Sequence, residues 1–98
     1  MLVFKKTNIK LPPQPLVAMF LGEDILQGEV YEAEDYQIIV HASRAGKMYV
    51  IRTKHSLGAF DALVHTRQDV EKYFKDDFFV RNHSKTHKPI QVDVSALP

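Results

Sequence analysis

Between Leu16 and Thr53 the chain sorts its charges by sign. Residues 21–36 hold Glu23, Asp24, Glu29, Glu32, Glu34 and Asp35 without a single Lys or Arg. Residues 37–58 hold Arg44, Lys47, Arg52 and Lys54 without a single acid. Through the same stretch, apolar runs alternate with turn residues. Opposite charges facing each other across strands stabilise their pairing. The pattern therefore predicts an antiparallel sheet with an acidic strand beside a basic one.

The segments follow from local chemistry. Leu2 to Lys5 is a short apolar edge strand, and Lys10-Leu-Pro-Pro-Gln-Pro is an extended linker of polyproline type, because proline removes a backbone donor and fixes φ. Leu16 to Leu21 is apolar throughout and predicts a strand buried on both faces. Gly22 to Asp24 is a turn. Ile25 to Tyr31 is the next strand, with Gly28 marking a bulge or a close backbone approach. Glu34-Asp35 turns into Tyr36 to His41, rich in β-branched and aromatic residues. Ser43 to Lys47 closes a hairpin in which Gly46 can take positive φ, leading into Lys47 to Thr53. After a loop over 54–58, Ala59 to His65 predicts a short strand. Thr66 and Asp69 have the spacing of a capping box. They open a helix from Arg67 to Lys75 whose buried stripe is Val70, Tyr73 and Phe74. Beyond it lie an aromatic cluster, Phe78-Phe79-Val80, an alternating edge strand over 90–94, and a fraying Ala96-Leu97-Pro98.

The fold class is α+β: an antiparallel meander of four to five strands with one late helix packed on one face. Ninety-eight residues make one domain, here 1–98. Residues 1–15 form an N-terminal arm with its Pro-rich linker, and 81–98 a basic C-terminal tail.

Several function classes are excluded or disfavoured. With no Cys, disulfides, thiolate metal sites and cysteine nucleophiles are ruled out. Small secreted domains lean on disulfides, so their absence favours a reducing, cytoplasmic setting. The N-terminus lacks the apolar core of a signal peptide, and no run approaches the ~18–20 apolar residues that span a bilayer, so no membrane partner is expected. His83 and His87 are spaced i, i+4 as zinc ligands can be. They sit in Arg-Asn-His-Ser-Lys-Thr-His-Lys-Pro, which reads as a loop without the Glu of a zinc-protease motif. No metal, cofactor or catalytic residue is therefore assigned. The paired acids Glu23-Asp24, Glu34-Asp35 and Asp76-Asp77 lie at turns or a helix end. Ser56 beside His55 points away from it on an extended chain.

Three functions follow. The first is a non-catalytic protein-binding or regulatory module that self-associates through its sheet as a homodimer. Strands 36–41 and 47–53 are apolar on both faces, one short helix covers one face, and Ile39 and Ile51 are the expected interface residues. The alternative is a nucleic-acid-binding accessory protein using the basic hairpin arm 44–54. There Arg44, Lys47, Arg52 and Lys54 would track phosphates while Tyr49 stacks a base. A second alternative is a small enzyme with a His-containing pocket, which would need two histidines and a carboxylate to gather. His41, His55 and His65 are separated by strand-length intervals, and strand register decides whether any two converge.

Overall fold

The structure is a computed structural model that describes residues 1–22, 24–54, 60–75 and 90–98. Along the chain the elements are β1 (Leu2–Val3), β2 (Lys5–Leu11), α1 (Pro15–Leu21), β3 (Gly28–Ala33), β4 (Tyr36–Ser43), β5 (Gly46–Thr53), β6 (Ala62–Val64), α2 (Arg67–Lys75) and β7 (Val92–Asp93). Strands β2-β3-β4-β5-β6 form one antiparallel sheet in sequence order. The short β1 and β7 pair in parallel as a separate ribbon. The class is α+β, with α2 as the late helix.

The β4–β5 hairpin is in continuous register from Tyr36↔Thr53 to Ser43↔Gly46, and Gly46 takes φ 134°, as the turn requires. Helix α2 begins where the capping signal places it. The amide of Asp69 donates to Thr66 Oγ1 at 3.0 Å, a cap worth about 1 kcal/mol. Val70 and Phe74 are buried and Tyr73 is half-buried, the i, i+3, i+4 stripe of an amphipathic helix. The short strand expected within 59–65 is β6.

Four expectations are corrected. Leu16 to Leu21 is not a strand but the body of α1. Pro15 occupies the first turn, where its missing N–H costs nothing and its fixed φ suits a helix. Gly22 ends the helix at φ 90°, its amide donating to Ala18 O at 2.8 Å. A short run without polar residues carries no period, so strand and helix look alike in sequence. The N-terminal segment is not an arm: residues 5–11 are the first strand of the main sheet. The bulge lies in β2, between Lys6 and Lys10, and not at Gly28. Thr7 repairs it by donating its hydroxyl to Val30 O at 2.8 Å and accepting the Ile9 amide at 3.1 Å.

The third correction concerns Gly28, which is approached by side chains. A Cβ there would lie 2.8 Å from His41 Nδ1 and closer still to Ile39 Cγ2. The fourth concerns the C-terminus, which does not fray. Leu97 is 2% exposed, its carbonyl accepts Arg67 Nη1 at 3.1 Å, and the Pro98 carbonyl accepts the Tyr49 hydroxyl at 2.6 Å. The edge strand expected over 90–94 is reduced to β7, which belongs to the β1 ribbon. Phe78-Phe79-Val80, His55, Ser56, His83 and His87 lie outside the described residues.

Strand alternation divides the core in two. On one face, Tyr31, Tyr36, Ile38, Val40, Tyr49 and Ile51 pack with Val70 and Phe74 of α2 and with Phe4, Val92, Val94 and Leu97. On the other, Val30, Ile39, Met48 and Val50 pack under Val17 and Leu21 of α1. The second face, which would lie uncovered were Leu16 to Leu21 a strand, is thus closed by α1.

Candidate interaction surface

The charge sorting resolves into a polar network with a different partner from the one expected. The acidic strand β3 lies between β2 and β4, and the basic strand β5 is one position further on. Glu29 therefore pairs with Lys6 of β2, 3.4 Å. Glu32 accepts Gln37 Nε2 at 2.7 Å, and Gln37 Oε1 accepts Arg52 Nε at 2.9 Å, so the side chain of Gln37 bridges acid and base across β4. Lys54 Nζ lies 3.5 Å from Glu32. Such half-exposed pairs fix register more than they stabilise, at about 0–1 kcal/mol each.

This network disperses the five residues expected to contact nucleic acid. Tyr49 is 3% exposed, and its hydroxyl is tied to the C-terminus. Burial raises its pKa, against a smaller lowering by Arg67. No base can stack on that ring. Lys47 and Arg52, an odd number of residues apart, point to opposite faces of β5. Arg52 and Lys54 are engaged with Gln37 and Glu32, and Arg44 sits at the hairpin turn 3.8 Å from Asp24. The five do not form one surface. The expected interface residues are equally enclosed: Ile39 is 2% exposed and Ile51 is fully buried, each inside its own half of the core.

His41 is the buried polar residue of the described core, 1% exposed. It stands over Gly28, with Nδ1 3.3 Å from Leu26 O. That carbonyl fixes the Nδ1–H tautomer. Burial lowers the His41 pKa from 6.5, and the Leu26 carbonyl partly offsets this. The folded state thus binds a proton less readily than the unfolded chain. Stability is full above the unfolded value and falls as pH drops below it toward the folded pKa. Urea midpoints should therefore decline between pH 8 and pH 5 by more in the wild type than in His41→Gln. Equal slopes in the two proteins would remove His41 as the cause. His65 is exposed, against the ring of Phe20, whereas His41 is enclosed in the core. Among the described residues no group of three or more His, Asp or Glu side chains could hold a metal ion. None of the helices among them is long and apolar enough to cross a membrane.

What the described surface offers is the outer side of α1. This helix, Pro-Leu-Val-Ala-Met-Phe-Leu, has no polar side chain. Val17 and Leu21, at i and i+4, face the core. Leu16, Met19 and Phe20, at i, i+3 and i+4, form a second stripe facing out, 37%, 82% and 58% exposed. The Phe20 ring meets His65 edge-on, centroids 6.5 Å apart, which places the stripe's end beside β6. The signal for this surface was present in the sequence as a helix-length run of apolar residues behind a proline. No protein-family model, curated protein or solved structure matches this chain.

Proposed function

We propose that the protein is a non-catalytic protein-binding or regulatory module that self-associates, with the outer stripe of α1 as its contact surface. The observation that supports this reading is a helix that is apolar all round yet, among the described residues, covered on one side only. Helices of that composition are found buried on every side. Full burial of each large apolar side chain contributes roughly 1.5–3 kcal/mol. A two-fold arrangement doubles every contact, which helps to offset an association cost of about 4–15 kcal/mol. The docking surface differs from the one expected from sequence, because both sheet faces are already occupied.

Sedimentation equilibrium from ~1 to ~100 μM should show a dimer, and Met19→Asp and Phe20→Asp should each shift the protein toward monomer. Both residues are exposed, so the variants should keep the wild-type circular dichroism and melting temperature within a few degrees. A wild-type monomer throughout that range would overturn self-association.

A further inference from the structure

The two edges of the main sheet are treated differently. Edge strand β2 carries Lys5, Lys6 and Lys10 and a bulge, the devices that keep a free edge from pairing with another chain. The opposite edge, β6, is Ala-Leu-Val: no charge, no proline and no bulge. Among the described residues it pairs with β5 alone, so its outer backbone donors and acceptors face away from the sheet.

Beside that edge runs a groove of about 230 Å³ between β6 and α2, lined by Ala62, Leu63, Val64, Asp69, Lys72 and Tyr73. Among the described residues its floor is apolar and its rim carries Asp69 and Lys72. Elsewhere on α2, Glu71 pairs with Lys75 at 3.6 Å. Neither Asp69 nor Lys72 has an ion-pair partner among the described residues. On the other face of the sheet, the α1 stripe reaches the same edge through Phe20 and His65.

We infer that the partner is a second copy of this chain docked edge to edge on β6, antiparallel, so that the two sheets join into one. This rests on the self-association reading and gives it a seam. A two-fold axis at the middle of Ala62–Val64 sets the two α2 helices antiparallel on one face. Asp69 of each copy then opposes Lys72 of the other, and the self-complementary charge pair closes the groove. The same axis brings the two α1 stripes together on the opposite face, where Phe20 and Met19 lose their exposure. The guarded β2 edges remain at the two ends of the joined sheet, so the assembly stops at two copies.

Amide hydrogen exchange on the wild-type chain at ~1 and ~100 μM tests the seam directly. Amides within 62–64 that face outward should slow at least about tenfold as the dimer forms. A dimer with unchanged exchange there overturns the seam while leaving self-association standing, and no dimer overturns both. Charge exchange supplies the second arm. Asp69→Lys and Lys72→Asp, each checked for helix content, should raise the dimer dissociation constant about tenfold through like-charge repulsion. The double variant should bring it back near the wild-type value. A double variant as weak as the product of the two singles would overturn the pairing of Asp69 with Lys72 across the axis.

Discussion

Replacing Phe74 by Ala should cost about 3–5 kcal/mol in chemical denaturation. Phe74 is the last core residue of α2 and is almost fully enclosed. Its ring lies 5.0 Å from that of Tyr36, 5.7 Å from that of Phe4 and 5.1 Å from that of Tyr73, so one side chain joins helix, sheet and the N-terminal ribbon. The Phe74 carbonyl also accepts the Ile90 amide at 2.8 Å, which brings the C-terminal segment back to the helix. Tyr36 is anchored in β4 and Phe4 between β1 and β2, which limits collapse into the vacated volume, so most of the cavity term should persist. A domain of this size is stable by about 5–15 kcal/mol in total, so the variant should melt far below the wild type. A loss under about 1 kcal/mol would mean that Phe74 does not occupy the core as described.

Ile39→Asp should be at least as damaging, and at every protein concentration. Ile39 lies in the middle of β4 beneath α1, surrounded by Val17, Leu21, Val30, Met48 and Val50. A carboxylate there loses the burial of the isoleucine and leaves an unpaired charge in an apolar layer, a combined cost of at least about 4 kcal/mol. The loss should show as unfolding by circular dichroism at ~1 μM as at ~100 μM, since the defect lies within one chain. A variant that stays folded and merely becomes monomeric would return Ile39 to an interface. Met19→Asp provides the contrast, because the same charge on the outer side of α1 meets water.

These two residues also mark where sequence patterning is decisive and where it is not. Phe74 belongs to a helix with a polar face, a cap and an i, i+3, i+4 stripe, so its burial follows from spacing alone. Ile39 belongs to a strand with apolar residues on both sides. Alternation there shows that both faces need cover, and Ile39 is indeed on the face opposite Ile38. What covers that face is set by residues 15–21, whose composition fits a buried strand as well as a helix. Reading them as a strand removes one layer from the fold and leaves Ile39 exposed on paper. Residues 5–11 read as part of an arm rather than as β2, because an edge strand with three lysines and a bulge lacks the apolar alternation of the central strands. The five basic-arm residues illustrate a further limit. Their proximity in sequence is real, but strand alternation sends Lys47 and Arg52 to opposite faces, and the hydroxyl of Tyr49 is claimed by a carbonyl 49 residues away.

The sequence by itself determined the class, the β3–β4–β5 meander, the Gly46 hairpin, the β6 strand and the capped α2 helix. Each of these is specified by interactions within a few residues: period, turn chemistry and cap. Only the tertiary structure decided that α1 is a helix, that it closes the second face, that β2 and not β5 is the basic neighbour of the acidic strand, and that the C-terminus is locked by Tyr49 and Arg67. Those outcomes depend on contacts between residues far apart in the chain, where the free energy of burial chooses between local conformations that the sequence leaves nearly equal.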